Sequence, residues 1–150
     1  TILKVSINTG NFDLAEKFKR FISPEGQGNL LRAVTVSMLP VVHDRIHERG
    51  EDAAGGQIGT YSPSYLKYTR PKYNRSNDPK VILSLTRQME NDFSAVAESD
   101  RYGLGFKNPL NFDKATWLEG TYKKKIYALQ DKERDLAITL GQEYTDALFK

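Results

Sequence analysis

The sequence predicts an α+β fold in which a small antiparallel sheet is flanked by helices and interrupted by a long Tyr/Lys/Arg-rich loop. Two short alternating segments, 93–98 and 102–107, are joined by a Ser-Asp-Arg turn and indicate a β-hairpin. Apolar residues at helical spacing predict long helices over 29–49 and from 131 onward. Residues 50–80 are rich in glycine, proline and tyrosine, as is typical of a loop.

The composition predicts one folded domain spanning 1–150, with the loop as an insertion at about 50–80. Hydrophobic residues make up 39% of the chain and charged residues 27%, which is typical of a folded domain with a polar surface. The apolar runs are much shorter than the ~20 residues of a membrane helix, and we expect neither a membrane segment nor a signal peptide. Because the chain has no cysteine, disulfide scaffolds, zinc fingers and thiol catalysis are excluded.

The first half of the chain predicts a strand and two helices. Residues 2–7 alternate apolar and polar positions and are predicted to form a short strand. Apolar residues at three- and four-residue spacing, three of them phenylalanines, predict a helix over 11–22. Pro40 is expected to kink or restart the 29–49 helix because proline lacks a backbone donor, and Gly50 is expected to cap the end of that helix.

The second half predicts further helices around the hairpin. Apolar residues from Val81 to Phe93 recur at helical spacing and predict a helix through about Asn91. Asp113 is positioned to cap a short helix before the terminal one. The following residues are expected to build the core: Phe18, Met38, Leu85, Trp117 and Leu140.

The Tyr/Lys/Arg-rich loop concentrates positive charge and aromatic side chains. Residues 60–80 carry five cations and one anion, although the net charge of the whole chain is only +3. Few aliphatic residues accompany the tyrosines, so we expect this segment to be mobile in the monomer and ordered only against a partner. The expected protein-interface residues are Tyr61, Tyr65, Tyr68, Arg70, Lys72, Tyr73 and Arg75. Truncating Tyr65 and Arg70 together is expected to leave the fold intact.

A zinc site is the most specific catalytic alternative. His43 and His47 lie four residues apart, as in the H-E-x-x-H pattern, but Asp44 replaces the glutamate and the chain has no third histidine. A solvated or interfacial histidine pair is therefore the preferred interpretation. Acidic pairs such as Glu90 with Asp92 and Glu133 with Asp135 are interpreted as solvated charges.

No nucleophile elbow of the G-x-S-x-G type is present. By elimination, the residues favour a binding or assembly protein with no catalytic residues, no metal and no cofactor. A nucleic-acid-binding module that uses the loop is the alternative, since lysines and tyrosines can contact phosphates and stack on bases. Its DNA-facing residues would be Lys67, Lys123, Lys124 and Lys125.

The order of several motifs resembles the bacteriophage virion-morphogenesis or tail-completion family. A helix ends in Arg-Ile-His-Glu-Arg-Gly at 45–50, an aromatic-Ser-Pro follows at 61–63, and 82–89 is similar to the family's I-L-x-x-T-G-x-L segment. The hairpin that ends at Phe106 stands where the family has paired strands. The resemblance covers about residues 30–140. Arg87 stands where the family has glycine, and Tyr61 stands where it has tryptophan.

This resemblance implies a small structural subunit without catalytic residues. It implies a homo-oligomeric ring at the head-tail junction (the neck) or the head-proximal end of the tail. Its partners would be copies of itself and other neck, tail or portal-adaptor proteins, with non-specific contact to packaged double-stranded DNA. The protein would be made in the host bacterial cytoplasm and located in the virion.

Overall fold

The helices flank a small antiparallel sheet, which confirms the predicted α+β class. The computed structural model describes residues 3–6, 24–98 and 101–148. The helices, in chain order, are α1 (Pro24–His47), α2 (Gln88–Asp92), α3 (Pro109–Tyr122) and α4 (Asp131–Leu148). The strands are β1 (Leu3–Ser6), β2 (Phe93–Glu98) and β3 (Arg101–Phe106). A π-helical turn (Tyr65–Thr69) and a 3-10 turn (Arg70–Tyr73) lie in the loop.

β3 is the central strand of the sheet. The strand order is β1-β3-β2, and both pairings are antiparallel, so the predicted strand and hairpin are confirmed. Phe93 lies opposite Phe106 across the hairpin, with their ring centroids 5.4 Å apart. The ring of Tyr127 approaches both phenylalanines, at 5.7 Å and 5.4 Å. This aromatic cluster joins the sheet to the helical layer.

α1 is the central helix of the core. It begins at Pro24, five residues before the predicted start, with proline in the first turn, where no backbone donor is needed. Pro40 does not interrupt it. Proline leaves the carbonyl of Val36 without its helical donor, but Pro40 and Val36 are both exposed, so water can solvate that carbonyl. Gly50 follows the helix with φ +68°, as expected for a cap.

The core combines α1 with the sheet and with the segment that leads into α4. Its buried apolar side chains include Leu30, Leu31, Val34, Met38, Val42 and Ile46 of α1, Phe93, Leu104 and Phe106 of the sheet, and Ile126, Tyr127, Leu129 and Ala137. The predicted core residue Met38 is confirmed, and Leu140 packs against the cluster. Phe18 and the predicted helix over 11–22 lie outside the described residues.

Trp117 is not a core residue, so that prediction is wrong. Its side chain is 63% exposed, because α3 buries Asn111 and Ala115 instead. Two residues correspond to about 200° around a helix, so Trp117 faces away from the side that carries Ala115. The predicted cap at Asp113 is also wrong. Asn108 precedes the first residue of α3 and caps the helix, because its side chain accepts a hydrogen bond from the Leu110 amide at 3.0 Å.

The predicted helix through 81–91 is wrong for most of its length. Only α2, from residue 88, is helical. Leu83 (φ +49°) and Arg87 (φ +64°) adopt left-handed backbone conformations that an α-helix does not tolerate. Val81 donates its amide to the carbonyl of Gly59 at 3.0 Å, which ties this segment to the loop. The apolar spacing in this stretch therefore belongs to an irregular segment and not to a helix.

A buried ion pair connects α1 to α4. Arg45 is completely buried, and its Nε donates to Oε2 of Glu133 at 3.0 Å. Its terminal nitrogens donate to the carbonyl oxygens of Glu51 (3.0 Å), Ile126 (2.8 Å) and Ala128 (2.8 Å). The guanidinium therefore joins three separate parts of the chain.

Glu133 also caps the helix to which it belongs. Its Oε1 accepts a hydrogen bond from the amide of Gln130 at 2.9 Å, the backbone arrangement of a capping box. Gln130 in turn donates its side-chain amide to the carbonyl of Asp52 at 2.8 Å. The interpretation of Glu133 as a solvated charge is wrong, since it is 2% exposed.

Within the described ranges, no helix is both long and apolar enough to cross a membrane.

We expect Glu133→Ala to lower the free energy of unfolding by about 3 kcal/mol, because it leaves the buried charge of Arg45 without its carboxylate partner. Urea denaturation measures this loss. Glu143→Ala removes an exposed carboxylate from the same helix and should change stability by less than about 0.5 kcal/mol. Equal stability of the two variants would contradict a structural role for the ion pair.

Candidate functional site

A groove of about 620 Å³ lies between the loop, the irregular segment before α2 and one side of α3. Its surface is apolar and aromatic, with charged groups among the lining residues. The lining residues are Thr60, Tyr61, Ser62 and Tyr65 from the loop, Leu83 to Glu90 from the middle segment, and Lys114, Leu118 and Tyr122 from α3. A volume of this size, with mixed lining, is typical of a binding site.

Arg70 holds the loop wall of the groove in place. It is only 1% exposed, and it donates to the carbonyl oxygens of Ser76 (3.0 Å) and Ser84 (3.2 Å). Its guanidinium lies 4.7 Å from the ring centroid of Tyr61, a cation–π contact. The expectation that Arg70 is an exposed interface anchor is therefore wrong. The planar guanidinium presents several donors in a fixed geometry, which suits loop carbonyls that have no hydrogen-bond donor from a helix or a sheet.

The loop also has other partners within the chain, contrary to the expectation that it orders only against another protein. Tyr61 donates its amide to the carbonyl of Pro79 at 2.7 Å, and its hydroxyl accepts from the amide of Ile82 at 3.3 Å. Arg75 donates to the carbonyl of Leu85 at 2.8 Å. These contacts close the loop across its base, so the groove exists in the isolated chain.

Three tyrosines form the aromatic part of the groove. Tyr61 and Tyr65 lie with ring centroids 4.9 Å apart, and Tyr122 faces them from α3. Burial raises the pKa of Tyr61 and of Tyr122 above the usual value of 10.0. The phenols therefore stay protonated near neutral pH and can donate hydrogen bonds to a ligand. Gly59 permits the close packing, because a Cβ there would meet the Tyr122 ring at 2.7 Å.

Glu90 lies among the groove residues and is buried, so its interpretation as a solvated charge is wrong. The Ser84 hydroxyl donates to Oε1 of Glu90 at 2.6 Å, and Nε of Arg87 lies 3.7 Å from the same oxygen. Arg87 is 64% exposed, so water screens the interaction between this ion pair. The hydroxyl of Ser84 and the guanidinium of Arg87 thus partly compensate the negative charge of Glu90. The exposed guanidinium of Arg87 remains accessible to a binding partner.

One face of α3 completes the groove. Lys114, Leu118 and Tyr122 are spaced four residues apart and therefore lie along one side of the helix. Lys114 donates to the side-chain oxygen of Gln88 at 3.3 Å, which connects α3 to the opposite wall. Trp117 is exposed on the neighbouring face of the same helix.

The structure divides the predicted interface residues into three groups. Tyr61 and Tyr65 line the groove, while Arg70 and Arg75 hold the loop to the rest of the domain. The exposed members are Tyr68 (59% exposed), Tyr73 (46% exposed) and Lys72.

The predicted DNA-facing lysines do not share one depression. Lys67 lies on the loop, with Nζ 5.0 Å from the ring centroid of Tyr68. Lys123, Lys124 and Lys125 surround a separate depression at the end of α3. Lys124 is engaged within the chain, because its Nζ donates to the carbonyl of Gln57 and lies 3.7 Å from Oδ2 of Asp52.

The histidine pair lies at the end of α1. The rings of His43 and His47 are 4.9 Å apart, and Nδ1 of His47 lies 3.2 Å from the carbonyl oxygen of Leu83. His47 is 1% exposed, so it is a buried residue and not a solvated one. Among the described residues, no three His, Asp or Glu side chains form a group that could hold a metal ion.

Burial, and to a lesser extent the neighbouring His43, lowers the pKa of His47 from 6.5 to about 4. The Glu90 carboxylate acts in the opposite direction. His47 is therefore neutral at physiological pH. Its Nε2 has no hydrogen-bond partner among the described residues, which makes protonation of the ring costly.

Sequence reasoning missed the groove residues Arg87, Glu90, Lys114 and Leu118. The four-residue spacing of Lys114, Leu118 and Tyr122 was the available signal for the α3 wall. No periodic pattern marks Arg87 or Glu90, because the segment that carries them is irregular.

Comparison with family models, with curated proteins and with solved structures finds no match for this chain.

We expect Arg70→Ala to lower the free energy of unfolding by about 2 kcal/mol, because it removes two charge-assisted hydrogen bonds to loop carbonyls. Lys72→Ala removes an exposed cation from the same turn and should change stability by less than about 0.5 kcal/mol. Urea denaturation and hydrogen exchange of residues 60–80 measure both effects. If Arg70→Ala left both measurements unchanged, the loop would not depend on this residue.

We expect stability to fall by about 2 kcal/mol between pH 7 and pH 5 through His47 alone. Its folded pKa of about 4 lies below the unfolded value of 6.5, so the unfolded chain binds the proton first as the pH falls. The stability that neutral His47 provides is present above pH 6.5 and is lost progressively toward pH 4. Urea denaturation at each pH, compared between wild type and His47→Phe, isolates this contribution.

The phenylalanine variant should lose most of that pH dependence, whereas His43→Gln should keep it. Titration of the His47 ring by NMR provides a direct reading. A midpoint near 6.5 in the folded protein would contradict the burial argument.

Proposed function

We propose that this chain is a structural subunit of a bacteriophage virion, of the tail-completion type. It assembles with copies of itself into a ring at the head-tail junction or the head-proximal end of the tail. Other neck, tail or portal-adaptor proteins are its further partners. The proposal starts from the order of motifs over residues 30–140, and it draws support from the geometry at two of those motifs.

The backbone at Arg87 is the observation that carries this proposal. The resembled segment has glycine at this position, and Arg87 adopts φ +64°, in the left-handed region that glycine favours. A side chain of ordinary size rarely occupies that region without strain. A glycine at this position would suit the backbone that this chain adopts, which supports the resemblance.

The two motif segments also pack against each other, although more than thirty residues separate them. Gly50 ends the helix motif with φ +68°, and a Cβ at that position would overlap the carbonyl oxygen of Val81. His47 contacts the carbonyl of Leu83 through Nδ1 at 3.2 Å. Both motifs thus contribute to one structural junction, as expected if they were retained for the same fold.

Exposed aromatic side chains support an assembly role. Tyr68, Tyr73 and Trp117 are each between 46% and 63% exposed. Large aromatic side chains of this kind are enriched at protein interfaces, where they provide contact area at low entropic cost. The loop that carries the two tyrosines is held by Arg70, so it presents them in a defined geometry.

We expect Tyr68→Ala combined with Tyr73→Ala to leave circular dichroism and melting nearly unchanged and to reduce incorporation into particles at least tenfold. The reason is that the side chains are exposed, so the fold does not need them, whereas truncating an interface tyrosine can cost about 2 kcal/mol of binding. Quantitative mass spectrometry of purified virions, after complementation with the variant, measures incorporation.

Lys107→Ala with Lys132→Ala is the matched control, since it truncates two exposed side chains outside the loop. Normal occupancy and infectivity of the tyrosine variant would argue against the loop as an assembly surface. Electron microscopy of the purified wild-type protein tests ring formation directly.

A nucleic-acid-binding role is the second candidate. The exposed lysines 67, 123 and 125 and the stacked Lys67–Tyr68 pair favour it. Salt-dependent binding of double-stranded DNA by the isolated protein, lost on charge reversal of these lysines, would favour this candidate over the ring subunit.

A further inference from the structure

Two of the large apolar side chains that are exposed in the described part of the chain lie on α3. Leu110 is 49% exposed and Trp117 is 63% exposed. They are seven residues apart in the sequence, which is about two helical turns, so both lie on the same side of the helix. The helix therefore presents an apolar side chain toward each end of one exposed face.

A pair of opposite charges lies between these two apolar residues. Asp113 and Lys114 are each three or four residues from both Leu110 and Trp117, so the four side chains share one face. We call this face the α3 stripe. Asp113 is exposed and forms no ion pair within the described ranges. Lys114 donates one hydrogen bond to Gln88, and its ammonium group has two further donors.

The order of side chains along the α3 stripe is self-complementary. Its midpoint lies between Asp113 and Lys114, and Leu110 precedes this midpoint by as many residues as Trp117 follows it. When two copies of the helix lie antiparallel about a two-fold axis through the midpoint, Leu110 of each copy faces Trp117 of the other. The same register places Asp113 of each copy opposite Lys114 of the other. Both the apolar and the charged positions are then matched twice.

A second copy fits the α3 stripe better than nucleic acid does. Nucleic acid would bring phosphates against Asp113 and would leave the two apolar side chains without an apolar contact. Gly120, one turn beyond Trp117, leaves room for a second helix, because nothing outside its own helix lies within 4 Å of the position that a Cβ would take. A partner helix can therefore approach the α3 backbone closely at this end.

We propose that the α3 stripe pairs antiparallel with the α3 stripe of a second copy of this chain, so that two subunits form a two-fold dimer. Trp117 packs on Leu110 of the partner subunit, and burial of these apolar surfaces drives association. The two Asp113–Lys114 pairs fix the register and the antiparallel direction, since exposed ion pairs contribute little affinity by themselves.

This dimer goes beyond the proposed function. A contact between identical surfaces is closed after two copies, whereas a ring of more than two subunits needs a contact between two different surfaces. The α3 stripe includes no residue of the Tyr/Lys/Arg-rich loop, so the loop stays available for neighbours in a ring. The dimer and the ring can therefore be tested separately.

Truncation tests the apolar part of the contact. Sedimentation velocity of the full chain over a range of concentrations should show a monomer–dimer equilibrium. Trp117 is the only tryptophan of the chain, so its fluorescence should shift to shorter wavelength as the dimer buries it. Both Trp117→Ala and Leu110→Ala should weaken dimerisation at least tenfold, because each removes two apolar contacts per dimer. Val36→Ala is the matched control, since it truncates an exposed apolar side chain of α1.

Charge exchange tests the register. Asp113→Lys alone places like charges opposite each other at both pairs, and so does Lys114→Asp alone. We expect each single variant to dimerise about tenfold more weakly at low salt. The double variant Asp113→Lys/Lys114→Asp restores opposite charges at both pairs and should dimerise like the wild type. An equimolar mixture of the two single variants should also recover wild-type association.

Glu143→Lys and Lys132→Asp are the matched controls, because they make the same charge changes at exposed positions of α4. Both should dimerise like the wild type. Circular dichroism checks that each variant keeps the wild-type fold.

Three results would overturn the inference. The first is a wild type that stays monomeric at high concentration. The second is a wild type whose association is unchanged by both Trp117→Ala and Leu110→Ala, since a different surface would then mediate it. The third is a double charge variant that dimerises no better than either single variant, which would exclude the antiparallel register. The second and third results leave the proposed ring untouched, because a ring forms through another contact.

Discussion

The guanidinium of Arg45 is the group on which the rest of the fold depends. It bonds Glu133 at the start of α4 and three carbonyl oxygens in segments that have no regular partners. A buried charge is costly unless its donors are satisfied, so arrangements of these segments that leave the guanidinium unpaired are disfavoured. α1 carries the arginine, and the positions of α4 and of the chain before it follow from that single side chain.

Arg70 repeats this principle in the loop. Irregular segments leave backbone carbonyls without the partners that helices and sheets provide, and buried carbonyls need donors. An arginine supplies several donors from one rigid group, where an aliphatic residue would supply none. The groove consequently depends in part on this buried arginine, because the bonds that Arg70 makes to Ser76 and Ser84 help to hold its loop wall.

The parts of the fold that the sequence predicts are those with local causes. The hairpin at 93–106, α1 and α4 follow from periodicity over neighbouring residues, and the left-handed Gly50 follows from the helix end before it. The irregular path through 81–87 is set by distant contacts and two left-handed residues, which periodicity does not register. The buried charge of Arg45 was missed for the same reason: its carboxylate partner, Glu133, lies 88 residues away in the sequence.

The loop is ordered by hydrogen bonds within the chain, and this lowers the entropic cost of binding a partner. A mobile basic segment would lose conformational entropy on docking, and that cost would be subtracted from its contacts. Here the cost is met during folding, since Arg70, Arg75 and Tyr61 bond the loop to the chain itself. The loop therefore needs no partner to be ordered, and its exposed tyrosines and lysines can contribute most of their interaction energy to association. Preorganisation matters most where identical subunits associate through weak contacts. The entropic cost of ordering a loop is then avoided at each contact between subunits.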